Sequence, residues 1–463
     1  MIAPQNRLLF WFALIVLPFA LLAGVEPATR MFSVLAIGGF AIMVFVDAIR
    51  APGSLAGISL EMPVVSRVTK DREARLEVLV RNQTQSAKTI RLALSMPREL
   101  RSQQEDLTVN LPAGAELSRL TWSCLPLSRG SYRLQSAFAE APSPWEFWSL
   151  RKRAAITGEI RIYPDLFRER KHLAALFLPR GAFGMRAQRQ VGKGREFEKL
   201  REYTPGDGYD EIHWKATARR GRPITKVFQV ERTQEIYVII DASRLSARQV
   251  PVEPEPKSIP ARPATPDAPP SLDPPPTALE RFITAGLVLG LAAERQGDLF
   301  GLLTFSDRVE RFVRAKNGKE HYHVCRDALY TLQPRIVTPD FDEVCTFIRL
   351  RLRRRALLVF LTSLDDPVLA ESFVRNMDLL RNQHLVLVNM LQPAGVAPIF
   401  SNPNIASVDE LYEKLGGHLQ WSDLRELDKV LQRRGVRFSM LQNERLSAEL
   451  VSQYLAVKQR QAL

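Results

Sequence analysis

Residues 236–246 read IYVIIDASRLS, an unbroken apolar run from Ile236 to Ile240 that ends in Asp241 and a hydroxyl-bearing loop. A short continuous apolar run closed by turn-forming residues is the pattern of a strand buried on both faces. Runs of the same kind follow at Leu299–Phe305, Ala356–Thr362 and His384–Met390, with helical patterns at Leu279–Arg295 and Asp342–Arg354 between them. Buried strands alternating with amphipathic helices predict a parallel sheet covered on both faces, an α/β doubly wound domain over residues 232–463.

Upstream, the pattern changes period. Over residues 58–165 the runs LEVLV, TIRLALSM, DLTVNL and YRLQSAFAE are short, and several alternate apolar with polar. Arg81-Asn82-Gln83-Thr84 and Pro112-Ala113-Gly114 separate them as turns. This spacing predicts a small β-sandwich of immunoglobulin-like type, without the paired cysteines of antibody domains. Such a module spaces or binds.

The first fifty residues set the location. Leu8–Gly24 and Met31–Val46 contain no charged residue, and each is close to the roughly 17–25 residues that cross a bilayer. With only Val25–Arg30 between them they predict a two-helix transmembrane hairpin, at about 8–24 and 31–46. A cleaved signal peptide fits the first run poorly, because it has no small-x-small cleavage site and a second span follows at once. Arg7 precedes the first span and Arg50, Arg67, Lys70 and Arg72 follow the second, against Arg30 alone in the connection. By the positive-inside rule both flanks face the cytoplasm. The expected protein is multi-pass in the inner (cytoplasmic) membrane, with its soluble domains in the cytoplasm.

Composition is compatible with this. The 463 residues carry a formal charge of +14, which suits a lipid surface, an acidic protein or nucleic acid, or reflects dispersed surface arginines. Cys124, Cys325 and Cys345 are few and widely spaced. They form neither a disulfide framework nor a zinc ligand spacing, and they fit a reducing compartment.

Between the sandwich and the α/β region, residues 190–231 form a distinct segment. Gly192 to Glu231 reads GKGREFEKLREYTPGDGYDEIHWKATARRGRPITKVFQVE, mixing glycine turns, aromatics and arginines. Trp214 with Arg195, Arg201, Lys215, Arg219, Arg220 and Arg222 makes a cationic surface around an aromatic anchor. Alternatively it is a packed turn whose tryptophan is core and whose arginines pair with Glu196, Glu198, Glu202 and Asp207. The segment resembles the signature of the bacterial DUF58 family, a domain of unknown function, through Gly194, Glu196, Phe197, Leu200, Arg201, Tyr203, Pro205-Gly206-Asp207, Ile212, Trp214-Lys215-Ala216 and Ala218-Arg219. The likeness extends over the leading helices, the β-rich domain and Arg161-Ile162-Tyr163-Pro164. It departs at Asp210, where the family carries a basic residue, and at His213, where it carries Asp or Asn.

The resemblance implies a von Willebrand factor A-like domain and association with MoxR-type AAA+ ATPases. Domains of that type bind a divalent metal through an Asp-x-Ser-x-Ser loop, a Thr and a further Asp. Here Asp241 and Ser243 match, Leu245 replaces the second Ser, and Thr338 and Asp365 (or Asp366) are the remaining candidates. Octahedral Mg²⁺ tolerates ligand loss poorly, so this degenerate site tips the reading toward a metal-free loop, with Mg²⁺ as the alternative. Arg195, Arg201, Asp207, Trp214, Lys215 and Arg219 are the expected partner-binding or signature residues.

Other signals are weaker. Residues 250–277 are proline-dense and predict an extended insertion, either a tolerated excursion or a tether controlling access to Asp241. Arg349–Arg355 reads as a basic helix end, a cap or a contact for anionic lipid. His321, His323 and Cys325 lack a fourth zinc ligand nearby. Phosphate-loop, G-x-S-x-G and H-E-x-x-H motifs are missing. The expectation is a non-enzymatic membrane-anchored adaptor that binds a protein, a MoxR-type ATPase by resemblance, in the assembly or maturation of membrane complexes. A hydrolase or transferase with an unrecognised site, and a nucleic-acid-binding protein, are the alternatives; nothing resembles a nucleic-acid module.

Overall fold

The computed structural model describes residues 1–25, 27–167, 191–204, 208–209, 212–229, 234–250, 275–399 and 407–460. It divides into two compact units, Met1–Asp165 and Leu166–Leu463.

The first unit opens with a short strand β1 (Ile2–Pro4), then helix α1 (Asn6–Val25) and helix α2 (Arg30–Arg50). Both helices are long and apolar enough to cross a membrane. Within α1, Phe12–Val16 form a π-helical turn. Pro18 explains it: a proline has no N–H to offer the preceding turn, and the ladder widens to accommodate the ring. At the hairpin bend the hydroxyl of Thr29 donates to the Leu22 carbonyl at 3.1 Å and Nε of Arg30 donates to Ala23 at 3.1 Å. These bonds satisfy carbonyls that the last turn of α1 leaves without a helical partner.

The sandwich follows as β2 (Ile58–Glu61), β3 (Val65–Thr69), β4 (Ala74–Asn82), β5 (Lys88–Leu94), β6 (Leu100–Ser102), β7 (Leu107–Leu111), β8 (Leu117–Pro126), β9 (Gly130–Pro142) and β10 (Trp148–Tyr163). One sheet runs β1-β10-β9-β5-β7, with β3 parallel to the end of β10; the other runs β2-β4-β8-β6. Alternation places the core: Ala74, Leu76, Val78 and Val80 point inward from β4 while Arg75 and Glu77 are exposed. They meet Ile90, Trp122, Leu134 and Ile160 in one cluster.

Both ends of the helical hairpin are tied to one end of this sandwich. Strand β1 pairs antiparallel with β10, Ile2 opposite Leu150, and the Gln5 N–H donates to Phe147 at 2.9 Å. At the far end of α2, the fully buried Asp47 accepts from the Ser143 hydroxyl, from the Trp145 N–H at 3.1 Å and from the Phe147 N–H at 3.3 Å. Nε1 of Trp148 donates to Val44 at 3.0 Å. The chain therefore enters and leaves the hairpin on the same side.

In the second unit, β11 (Val191–Glu202) and β12 (Ile224–Gln229) form an antiparallel pair around the short helix α3 (Trp214–Arg220). The rest runs β13 (Glu235–Asp241), α4 (Ala278–Arg295), β14 (Leu299–Phe305), β15 (Val309–Lys316), α5 (Lys319–Leu329), α6 (Phe341–Arg351), β16 (Leu357–Leu361), α7 (Pro367–Met377), β17 (Leu385–Leu391), α8 (Val408–Arg433), β18 (Arg437–Leu441) and α9 (Leu446–Gln459). The sheet order is β15-β14-β13-β16-β17-β18, parallel throughout except for the antiparallel edge strand β15.

Both faces are covered. Ile236, Val238 and Ile240 pack with residues of α4, α5 and α9, whereas Tyr237 and Ile239 pack with α6, α7 and α8. Gly301 is dictated by this packing, because a Cβ there would lie 2.4 Å from the Tyr237 ring. Helix α6 stops at Arg351, short of the expected Arg354. Leu352 takes an extended conformation and is buried, so the arginines from 353 onward lie in the connection to β16 and do not extend the helix end.

Candidate functional site

Strand β13 leads through α4 to β14 on one side of it, while β16, on its other side, leads away to β17. In an open α/β sheet the carboxyl ends diverge at such a switch point and leave a crevice. Asp241 closes β13 and Thr362 follows β16, so the fold brings them together there.

Asp241 is fully buried. Its Oδ1 accepts from the Ser243 N–H at 2.8 Å, and its Oδ2 accepts from the Thr362 hydroxyl at 2.6 Å. The Ser246 hydroxyl donates to the Asp241 carbonyl, and the Ser243 Oγ accepts from the Leu245 N–H at 3.3 Å. Burial pushes the Asp241 carboxyl up from its ordinary value, against the opposing pull of the Thr362 and Ser243 hydrogen bonds. Leu245 is itself buried and fills the place where a second serine was expected with apolar packing.

The neighbouring loops are bound to this one. The Arg244 N–H donates to Val337 at 3.0 Å and the Arg335 N–H donates to Ala242 at 2.7 Å. Thr338 lies on that adjoining loop and is exposed. Asp365 is ion-paired with Arg248. Asp366 caps α7 by accepting from Val368 and Leu369 and stands 3.6 Å from Arg244. The Ser306 hydroxyl lies 2.8 Å from a carboxylate oxygen of Asp307 and of Glu310, with one proton to donate to either, and Arg335 meets Asp307 at 2.8 Å. The Ser306 bond first, and Arg335 after it, hold the Asp307 carboxyl below its ordinary value.

Of the four expected metal ligands, Asp241 and Ser243 come together, and Thr362 is the threonine that reaches them. A hard divalent cation needs several oxygens free to turn toward it. Here each oxygen of Asp241 already accepts from an internal donor, and a guanidinium occupies Asp365. Among the described residues no three His, Cys, Asp or Glu side chains group as a metal cluster. As arranged, only two of the four expected ligands come together, and both are engaged in internal hydrogen bonds.

The signature segment is partly visible. Trp214 is 68% exposed at the start of α3, which removes the packed-core reading of this residue. Lys215 and Arg219 are exposed beside it. His213 caps the helix, its Nδ1 accepting from the Ala216 N–H at 3.0 Å, so histidine does here what Asp or Asn does at such positions. Arg201 donates to the Thr204 hydroxyl, and Arg222 pairs with Glu202 at 2.8 Å. Asp207 and the side chain of Arg195 lie outside the described residues, as do residues 251–274 of the proline-rich insertion. The stems of that insertion are joined by a bridge between Gln249 and Thr277.

The three thiols are buried, and burial pushes Cys124 up to about 11 and Cys325 and Cys345 to about 12. A thiol held that high is not ionised near neutral pH and is a poor nucleophile. Nε2 of His321 lies 2.8 Å from the Phe300 carbonyl, and His323 is exposed on α5. Sequence reasoning missed Thr362, Arg248 and Asp47. The one available signal for Thr362 was its place at the end of a buried strand.

No curated protein matches the chain. Among solved structures, an aerotolerance-related membrane protein from Bacteroides fragilis is 11% identical, with 49% of this chain and 99% of that one covered at a TM-score of 0.28. Proximal thread matrix protein 1 from the mussel byssus is 12% identical at a TM-score of 0.24, covering 47% of this chain and 43% of its own. A protein of unknown function from Porphyromonas gingivalis is 14% identical at a TM-score of 0.16, covering 23% and 46%. The chain thus spans less than half the length of the latter two. The family described as Protein of unknown function DUF58 matches residues 199–249 and 277–397. That match takes in the signature helix α3, the Asp241 loop and the parallel strands through β17, and it is over this region that the chain is similar to the DUF58 family.

Proposed function

We propose that this protein is a non-enzymatic, membrane-anchored adaptor whose α/β unit, read as a von Willebrand factor A-like domain, docks a protein partner through the loops at the switch point. The hairpin spans the inner membrane and keeps the soluble units on its cytoplasmic side. The reading rests on one feature, the rim around Asp241. There Ile336 and Val368 are 81% and 76% exposed, beside the Arg244, Arg248 and Arg335 ion pairs that hold the loops in place. Exposed apolar side chains on a braced loop are the composition of a binding patch. The internal hydrogen bonds of Asp241 favour a role in shaping those loops without Mg²⁺. The high thiol pKa values speak against a cysteine hydrolase.

The partner we favour, by the family resemblance, is a MoxR-type AAA+ ATPase, with Trp214, Lys215 and Arg219 as a second contact. The test is affinity capture of the tagged full chain from detergent-solubilised membranes with ATP, beside an Ile336→Asp/Val368→Asp double variant. Both changes are at exposed positions, so the melting temperature should move little. Recovery of an AAA+ ATPase by the parent and its loss in the variant is the expected result. Equal recovery by both would move the docking site elsewhere. A steeply salt-dependent nucleic acid in its place would favour the alternative driven by the +14 charge.

A further inference from the structure

A groove of about 450 Å³ opens in the first unit where the hairpin meets the sandwich. This is within the roughly 300–1,000 Å³ typical of small-molecule sites. Ile15 from α1 and Phe40 and Met43 from α2 form its apolar wall, and Trp11 and Trp145 stand at its sides. Arg7 and Glu146 lie across its mouth as an ion pair at 2.8 Å, both substantially exposed.

Two backbone features shape the groove. The π-turn at Phe12–Val16 falls on the stretch of α1 that supplies Ile15, and π-turns are frequent at functional sites. Among the described residues Glu146 is one of three non-glycine residues with a left-handed backbone, at φ +61°. Such a conformation persists only where surrounding structure enforces it. Here the enforcement is visible: Asp47 accepts from Ser143, Trp145 and Phe147 on either side of Glu146.

The charges define the occupant. Arg50 lies over the Trp145 ring at 5.7 Å. At the mouth itself one guanidinium, Arg7, is matched by one carboxylate, Glu146, whereas the buried Asp47 is taken up by its three donors. A balanced acid–base pair above an apolar wall, flanked by tryptophans at the end of two membrane-length helices, matches a zwitterionic lipid better than an anionic one. We infer that this groove binds one phospholipid with a primary-amine headgroup, a phosphatidylethanolamine. Its phosphate accepts from Arg7, its ammonium donates to Glu146, and an acyl chain lies along Ile15, Phe40 and Met43. Choline has no N–H to donate to Glu146, and a glycerol headgroup has no cation to pair with it.

This inference rests on the membrane-anchored reading, and the test separates the two. The full chain is reconstituted with equal parts phosphatidylethanolamine, phosphatidylcholine and phosphatidylglycerol, floated on a density gradient, then released for native mass spectrometry. The expected result is flotation, with one retained phosphatidylethanolamine per chain. Glu146→Gln should float equally and lose its preference over phosphatidylcholine by about tenfold, and Met43→Trp, which fills the groove, should lower retention of every lipid. Flotation with phosphatidylglycerol retained as well as phosphatidylethanolamine, or with no retained lipid, would overturn the lipid site and leave the anchor standing. Failure to float would overturn both.

Discussion

Asp47 at the end of α2 and Asp241 at the end of β13 are both completely buried, and their partners differ in one chemical respect. Asp47 faces the Trp145 and Phe147 N–H groups and the Ser143 hydroxyl, whose Oγ already accepts from the Trp148 N–H at 3.1 Å. Asp241 faces one N–H and the Thr362 hydroxyl. Backbone N–H groups only donate, whereas a threonine hydroxyl donates or accepts as its rotor requires. Asp47 is thus a fixed acceptor that locks a helix to a β-turn. Asp241 is one half of an adaptable pair that orders loops.

Replacing each by its isosteric amide breaks or sharpens this contrast. The largest effect is expected at Asp47. Asp47→Ala strands three donors and should cost on the order of 4 kcal/mol of the first unit's stability. Asp47→Asn aims an amide at an N–H whichever way it turns, and should still cost about 2 kcal/mol. Thermal melting of the full chain in detergent, followed by tryptophan fluorescence, reads both. An Asp47→Asn variant melting with the parent would end the fixed-acceptor account.

At Asp241 the alanine variant should lose about 2 kcal/mol from its two hydrogen bonds, but the amide should behave oppositely. Burial raises the folded-state pKa of this carboxyl above its unfolded value. Its contribution to stability is therefore fully present below the unfolded value and is lost as pH rises through the folded one. Asp241→Asn removes that loss, so it should melt above the parent at pH 7, with the gap closing as pH falls toward about 4. A constant gap across that range would show that the charge of Asp241 costs the fold nothing.

The smallest effect belongs to the cap of α3. His213→Ala should weaken that turn by about 1 kcal/mol, while His213→Asp restores it. Hydrogen exchange at the Ala216 amide reports it locally, and equal protection in all three would assign the start of α3 to packing.

How far the sequence revealed this arrangement depended on the range of the contacts. Charge-free runs located both helices, and alternation located β4, β5, β7 and β9, because period and length are local properties. The continuous run at Ile236–Ile240 and the following Asp241 gave the central strand and its loop. Strand β1 was not legible: three residues have no period, and their partners lie near residue 150. Asp47 drew no reading from the sequence, since its partners are about a hundred residues away. The site was half visible for the same reason. Thr338 was chosen by its loop, whereas the pairing of β13 with β16 brings Thr362 to Asp241, and the pairing of Arg248 with Asp365 spans 117 positions. Leu245 was legible as a departure, but only the fold shows it buried.

Site-specific photo-crosslinking in native membranes tests the adaptor account most directly, with a photoreactive phenylalanine at Ile336, at Val368, and at the exposed Glu105 of the sandwich as the control position on the other unit. The account predicts a covalent adduct with an AAA+ ATPase from positions 336 and 368, unchanged when Mg²⁺ is chelated, and none from 105. No adduct at 336 and 368, or the same adducts from all three positions, would contradict it.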